Sequence, residues 1–292
     1  MNDKSQKKLS IITVAYKSNA LIQKCIRSLE KYNDISDGIE VIVVDNYPFG
    51  EDSFSRISSQ FPHVTVINNP SNGGFGQGNN IGVNRSSGDY LLFLNPDTEL
   101  IEPIFKFSID KFDFDPKLAA FGMTLCDHER RTDQKSYGLL PENSGVVRQL
   151  LSNFLIKYLN FTPKSIYPWG ADLFIRRNIF LEIGGFDENY FLCYEEPDLI
   201  RRIPSFFKVR IYQNKIMHSG GHSLKLEEAS KTLNWYLNSE QYYFKKYNLD
   251  YRKYIRPKLI KLRLNIFLKL FLGIKVNRQH NLLLEYYRKI VD

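Results

Sequence analysis

The residues best equipped for chemistry in this chain are two groups of carboxylates. Asn95-Pro96-Asp97-Thr98 follows the apolar run Leu91-Leu92-Phe93-Leu94. An aspartate on a proline-fixed turn at the end of a buried strand is a rigid carboxylate. Hard cations such as Mg2+ or Mn2+ take one or two such groups and complete their shell with phosphate oxygens and water. The same residues also read as a turn and a helix cap, with Asp97 or Thr98 capping a helix that contains Phe105. The second group lies in Gly184-Gly185-Phe186-Asp187-Glu188-Asn189-Tyr190-Phe191 and Tyr194-Glu195-Glu196-Pro197-Asp198-Leu199, with five carboxylates within twelve residues. Proline is tolerated near a helix start. Glu195 and Glu196 there would sit at the positive end of the helix dipole, which favours the ionised form a general base needs. The plainer alternative is helix-end capping with a surface ion pair to Arg201 or Arg202.

Three further stretches could serve a ligand. Asp45-Asn46 ends a β-branched run and could accept hydrogen bonds from a base or ribose, or cap the next segment. Asn72-Gly73-Gly74-Phe75-Gly76-Gln77-Gly78-Asn79-Asn80 has four glycines, which allow close backbone approach and could turn amides toward phosphate at a helix start. Met217-His218-Ser219-Gly220-Gly221-His222-Ser223 places a histidine before a small-residue loop. Such a histidine can reach a metal or a diphosphate, although a lone histidine is more often structural.

These groups need a frame, and the apolar pattern supplies one. Leu9 to Tyr16, Ile39 to Val44, His63 to Ile67 and Tyr90 to Leu94 read as strands, with a helix from Ala20 to Tyr32 after the first. Continuous apolar strands separated by helices predict a parallel sheet covered on both faces. Ligands bind such sheets at the carboxyl ends of the strands, where the polar turns lie. Further strands are expected at Leu118 to Leu125, Trp169 to Ile175 and Val209 to Tyr212, with helices over Val146 to Tyr158 and Arg177 to Gly184. Between Asp127 and Pro163 a mobile loop is also expected. From Leu224 onward the pattern is helical, which gives three parts: 1–115, 116–223 and a basic helical extension over 224–292.

Composition excludes several classes. The chain has 292 residues and a net charge of +8, but from Tyr251 onward there are 11 Lys and Arg against 2 Asp and Glu. That leaves 29 against 30 in the first 250 residues. The basic character therefore belongs to the tail, which argues for a local anionic surface and against a nucleic-acid groove across the fold. No apolar stretch is long enough to span a bilayer. The start, MNDKSQKK, lacks the apolar core of a signal peptide. Cys25, Cys126 and Cys193 are scattered and odd in number, so a reducing cytoplasm is expected and a disulfide framework is not. A dinucleotide fingerprint requires glycines directly after the first strand. Here that turn is Ala15-Tyr16-Lys17-Ser18-Asn19, which leaves a nicotinamide-dependent oxidoreductase as a remote alternative.

Taken in order, the pieces resemble family 2 glycosyltransferases of the GT-A fold, over roughly Ser10 to Ser223. The rhamnosyltransferase-like enzymes of bacterial surface-polysaccharide assembly are the subgroup they look most like. The matching segments are Ile11-Ile12-Thr13-Val14-Ala15-Tyr16, Val43-Val44-Asp45-Asn46, Asn72 to Gly82, Asn95-Pro96-Asp97, Gly170-Ala171, Gly184 to Glu188, Glu195-Glu196-Pro197-Asp198, and His218 with Ser223. The resemblance implies an α/β fold, with a Rossmann-like, mostly parallel central sheet flanked by helices and a C-terminal helical extension. It implies a metal-dependent, inverting transfer from a nucleotide-diphosphate sugar, dTDP-rhamnose first and a UDP-hexose otherwise, to a saccharide or lipid-linked acceptor. A catalytically impaired, nucleotide-sugar-binding homologue is the alternative.

By that resemblance Thr13, Ala15, Tyr16, Asp45 and Asn46 hold the nucleoside. Asn72, Gly73, Gly74 and Asn80 flank it, and Asn95, Gly170 and Ala171 complete the donor side. Asp97 is the surviving acid of the metal-binding DXD motif, Asn95 replaces the first acid, and His218 completes the Mn2+ or Mg2+ site. Glu196 aligns with the catalytic base, with Glu195 and Asp198 as rivals or metal-side supports. The family has Glu-Asp where this chain has Glu195-Glu196. Glutamate has a similar reference pKa but one more methylene, and a misplacement of about 1 Å can cost roughly 100-fold in rate.

The tail adds an expectation about place. Ile255, Leu259, Leu262, Ile266 and Leu270 fall at helical spacing beside Leu264, Phe267, Phe271 and Ile274, while Lys258, Lys261 and Lys269 share another face, with Arg263 nearby. That is the pattern of a helix lying on anionic lipid, here through residues 255–275 at the inner face of a bacterial plasma membrane. A core-packing helix or an oligomer contact such as a homodimer suits the same pattern.

Overall fold

A computed structural model describes residues 8–47, 57–132, 136–143, 146–159, 162, 164–219, 229–276 and 278–291. Ser223, and residues 224–228 at the expected start of the helical tail, lie outside them. The chain divides into two compact units, Met1–Lys225 and Leu226–Asp292.

The first unit is built on an eight-stranded sheet. Its strands are β1 (Leu9–Ala15), β2 (Ile39–Asp45), β3 (Thr65–Asn68), β4 (Tyr90–Leu94), β5 (Thr98–Leu100), β6 (Leu118–Cys126), β9 (Asp172–Arg176) and β10 (Lys208–His218). They run in the order β3-β2-β1-β4-β9-β6-β10-β5, and the short strands β7 (Tyr137–Leu139) and β8 (Ile166–Pro168) pair separately. The ladders β3-β2-β1-β4 and β6-β10 are parallel, while β9 runs antiparallel between β4 and β6. This is the mostly parallel sheet that the apolar runs predict.

The runs are apolar throughout because the sheet has a core on each face. Leu9 and Ile11 of β1 pack with Ile22, Ile26 and Leu29 of helix α1 (Asn19–Lys31) and with Phe105 and Phe112 of α3 (Phe105–Phe114). Ile12, on the opposite pleat, packs with Val83 of α2 (Gly74–Asn84), Phe180 of α5 (Arg177–Glu182) and Leu199 of α6 (Glu195–Arg202). Each fully buried side chain of this size is worth about 1.5–3 kcal/mol, so the strand is over-determined from both sides. Helix α4 (Val146–Leu159) packs on a smaller cluster with β7, β8 and β10.

Three sequence expectations need correcting here. The strand expected over Trp169 to Ile175 begins at Asp172, because Asp172 N–H turns back onto the Trp169 carbonyl at 3.3 Å. The strand expected over Val209 to Tyr212 continues to His218, through a register irregularity between Ile211 and Lys215 that the polar residues Gln213 and Asn214 conceal. Thr98 begins β5, and the helix containing Phe105 starts after Ile104 without any side-chain cap, so neither Asp97 nor Thr98 is a helix cap.

The second unit consists of α7 (Ala229–Lys246), α8 (Tyr251–Phe271) and α9 (Arg278–Val291). Asp250 caps α8 by accepting from Lys253 N–H at 2.9 Å. Ile255 and Leu259 are buried in this unit with Leu237 and Tyr287. Lys258, placed by its spacing on the cationic face of a helix lying on anionic lipid, instead binds the buried Glu240 at 2.6 Å. In its first half, therefore, the α8 stripe is core packing, the alternative its periodicity allowed. From Leu264 onward Leu264, Phe267, Leu270, Phe271 and Ile274 are exposed. Among the described residues no helix is long and apolar enough to cross a membrane.

Candidate active site

Strands β1, β2 and β4 end side by side, with Ala15 opposite Asp45 and Ile12 opposite Phe93. The turns beyond them hold most of the expected residues. Asn46 N–H bonds the Ala15 carbonyl at 2.8 Å, and Asp45 accepts the Tyr47 N–H at 2.9 Å. Asn46 is buried and engaged, donating to the Gly74 carbonyl at 2.9 Å and accepting from Asn69 at 2.8 Å. Thr13 is also buried, and its hydroxyl meets no partner. Of the expected nucleoside residues Tyr16 is the exposed one. Its ring meets Tyr47 edge to face at 5.6 Å, with the Lys17 ammonium 5.3 and 5.2 Å from the two ring centres.

The glycine run is used differently from its expected phosphate role. Gly74 has φ 92 and lies so close to the Phe191 carbonyl that any Cβ would collide with it. Phe75 N–H donates to that carbonyl at 3.1 Å, and Gly73 N–H donates to Gln77 at 2.8 Å. Two of the amides at the helix start are thus already taken. Asn72 adopts φ 41 at the preceding turn. Asn80 bridges onward, donating to Phe186 O and Glu188 at 2.9 Å each and accepting from Phe186 N–H at 3.0 Å. The run latches α2 to the loop carrying the acid cluster, as a chain with glycine at the crossing can do.

The two carboxylate groups meet through a short piece of backbone. Asn95 N–H donates to the Ala171 carbonyl at 3.1 Å, and Gly170 N–H donates to Glu196 Oε1 at 2.9 Å. The adjacent residues Gly170 and Ala171 therefore tie the Asn95-Pro96-Asp97 turn to the start of α6. A side chain at Gly170 would displace the Glu196 carboxylate. On the other side, β10 brings His218 opposite Thr98, with His218 Nε2 3.3 Å from Asp97 Oδ1. Ser219 N–H closes the corner onto the Asp97 carbonyl at 3.0 Å.

Burial separates the three acids of α6. Asp198 is buried and binds Arg202 at 2.9 Å and the Tyr190 hydroxyl at 3.3 Å, so the ion pair read as a surface feature is an interior one. Glu195 is buried with its Oε1 unpartnered, while Glu196 keeps exposed surface. The helix dipole was expected to keep these groups ionised, but burial outweighs it. Burial pushes the Glu195 carboxyl well above the usual range, and Glu196 and Asp198 add to the shift. Glu196 is raised by burial too, with the Gly170 N–H pulling the other way.

Sequence reasoning missed Lys17, Tyr47 and Asp172. Lys17 gave no motif signal; its place is fixed by φ 51 just beyond β1. Asp172 directly follows Gly170-Ala171, is buried, and accepts the Met123 N–H on one oxygen while the other has no partner. Burial raises its carboxyl well above the usual range. The visible signal was an acid inside an otherwise apolar strand.

Among the described residues no group of three or more His, Cys, Asp and Glu is placed to hold a metal. The pair Asp97 and His218 suits a cation that keeps open positions: two neighbouring ligands about 2.1 Å from one octahedral ion lie roughly 3 Å apart, close to the 3.3 Å seen here.

The profile of glycosyl transferase family 2 matches residues 10–184. The rhamnosyltransferase WbbL of Escherichia coli (strain K12) is 29% identical over 253 residues, which span 78% of this chain and 89% of WbbL. Among solved structures, the mannosyltransferase PcManGT from Pyrobaculum calidifontis, in complex with GDP-Man and Mn2+, aligns with a TM-score of 0.59 at 13% identity, covering 83% of this chain and 65% of that one. GalNAc-T7 with UDP, GalNAc and Mn2+ aligns with a TM-score of 0.57 at 14% identity, covering 74% of this chain and 44% of that one. The chain thus spans less than two thirds of either solved structure.

Proposed function

The chain belongs to glycosyl transferase family 2, and from that premise we propose that it moves a sugar from a nucleotide-diphosphate donor to a saccharide or lipid-linked acceptor, with inversion at the anomeric carbon. Residues 1–115 hold the donor in this reading, and residues 116–223 hold the acceptor and supply the base. The observation that carries it is the Gly170-Ala171 link, which suspends the one partly exposed acid of α6 beside the Asp97 turn.

Glu196 is the base in this account. It takes the proton of an acceptor hydroxyl, a contribution of roughly 100- to 10,000-fold. Its burial-raised affinity for protons helps that step, and its surface lets an acceptor reach it. Glu195 and Asp198 have no such surface and serve as the floor beneath it. Asp97 and His218 face the donor diphosphate and together would hold Mn2+ or Mg2+. When bound, that cation supplies positive charge against the leaving group. Tyr16 and Tyr47 offer ring faces to the base, and Asp45 fixes Tyr47 through its backbone.

The rhamnosyltransferase relative supports dTDP-rhamnose as the first donor to test, with UDP-hexoses next. The exposed apolar end of α8 and its lysines and arginines support a peripheral contact with an anionic membrane surface. A thermal-shift panel of dTDP-, UDP- and GDP-sugars with and without Mn2+ tests the donor. Glu196→Gln is expected to lose transfer while keeping the donor-induced shift, and full transfer by that variant would overturn the assignment. Stabilisation by donor without turnover in the unaltered chain would favour the catalytically impaired homologue.

A further inference from the structure

Among the described side chains of α4, Ser152 and Ile156 are the buried ones, and Ile156 packs with Leu139 of β7, Ile166 of β8 and Ile211 of β10. At about 100° per residue, Leu150, Phe154 and Tyr158 follow one another down the outer face with Leu151 beside them, while Leu159, in the last turn, falls toward the Ser152 side. All five are between 52% and 65% exposed. Phe154 and Tyr158 rest ring against ring at 5.3 Å. Lys157 borders this face with its ammonium 5.2 Å from the Tyr158 ring, and Arg148, bonded to Asn143, borders the other side.

We propose that this face of α4 lies on an anionic lipid bilayer. Four large apolar side chains in one arc, flanked by a lysine and an arginine, form the cross-section of a helix set into the headgroup boundary. The aromatic members suit that boundary, where one edge is apolar and the other wet. Charge decides between the occupants. From Asn143 to Ala171 the sequence holds Arg148, Lys157 and Lys164 and no acidic residue. The nearest carboxylate before this stretch, Glu142, is already paired with Arg201, so a second copy of this face would bring more cations and no free acid to partner them. An anionic headgroup layer supplies those partners.

The contact goes beyond the donor chemistry and does not depend on it. One consequence does rest on the transfer reading. Strand β8, against which α4 is braced, leads directly to Gly170, whose N–H holds Glu196. A bilayer under α4 would present a lipid-linked acceptor from the side of the base.

The test is co-sedimentation of the full chain with phosphatidylcholine vesicles, with and without phosphatidylglycerol. The double variant Phe154→Ser, Tyr158→Ser should partition about tenfold more weakly into the anionic vesicles. Lys157→Glu should weaken binding to anionic vesicles only, as should added salt. Both variants should keep the donor-induced thermal shift, which separates loss of the surface from loss of the fold. Equal sedimentation of the double variant and the unaltered chain would overturn the proposal, as would no sedimentation of the unaltered chain. So would a dimer that the double variant converts to monomer with vesicle binding unchanged, because a second copy would then cover the face. If no donor shifts the melting curve while the vesicle effects hold, the transfer reading fails and the lipid contact stands.

Discussion

Glu195 and Glu240 are both buried glutamates, one in each compact unit, and their surroundings differ in kind. Glu240 accepts from Lys258 at 2.6 Å, from Tyr236 at 3.0 Å and from Tyr251 at 2.9 Å, so both oxygens are satisfied. Glu195 has an oxygen with no donor and lies beside Glu196 and Asp198, which raise its proton affinity further. A buried acid with a full set of donors is a structural joint. One held among other acids costs stability, and such a cost persists where the local arrangement is needed for something else. In the tail the acid ties Tyr236 of α7 and Tyr251 of α8 to a lysine; near Gly170 it forms the floor of the proposed site.

The largest expected effect probes the site side of this contrast. Glu196→Gln should lower transfer by roughly 100- to 10,000-fold in a single-turnover assay. The kcat/KM of the unaltered chain should fall as the pH drops through a value above the ordinary carboxylate range, because protonation of a burial-raised Glu196 removes the base. A rate insensitive to acid pH would break the assignment. The next effect belongs to the tail. Glu240→Ala leaves the half-buried Lys258 without its partner and should cost the second unit about 1.5–3 kcal/mol, read as faster amide exchange across residues 229–291. A double variant with Lys258→Met should recover much of that loss.

Two smaller effects sharpen the comparison. Tyr251→Phe removes one of three donors to Glu240 and should cost roughly 1 kcal/mol in a urea melt. Glu195→Gln should change stability at mildly acid pH by less, about 1 kcal/mol or under, because it replaces a carboxyl that is already protonated there. Its signature is the pH dependence. The folded-state value of Glu195 is raised, so its contribution to stability is complete below the ordinary glutamate pKa and is lost as the pH rises through the folded value. Glu195→Gln should flatten that decline. An unchanged pH profile would show that Glu195 is not the strained member of the pair.

The site was only partly legible in the chain. Asp97 could be read because a buried strand followed by Asn-Pro-Asp must leave a polar turn at the sheet edge, and the strand proved buried at every position. His218 could be suspected but not placed, since β10 reaches it only by crossing an irregular stretch at Gln213 and Asn214. The roles of Asn46, Asn80 and Gly74 were hidden, because their partners lie 28, 106 and more than 100 positions away in sequence. The tail stripe misled for a simple reason. Periodicity shows that a helix has an apolar side, but not whether protein or lipid covers it, and in the first half of α8 protein does.

By itself the sequence determined what local physics can determine. Apolar runs at strand length dictated a parallel sheet with two covered faces, the turns placed polar residues at its carboxyl edge, and the charge count confined the basic excess to the tail. The tertiary structure decided the ionisation and the partnerships. Whether Glu195 and Glu196 are charged depends on burial and on neighbours brought in by folding, such as the Gly170 N–H, and no spacing rule carries that information. Partnership is hidden in the same way for Asp97 and His218, more than a hundred residues apart in the chain and 3.3 Å apart in the fold.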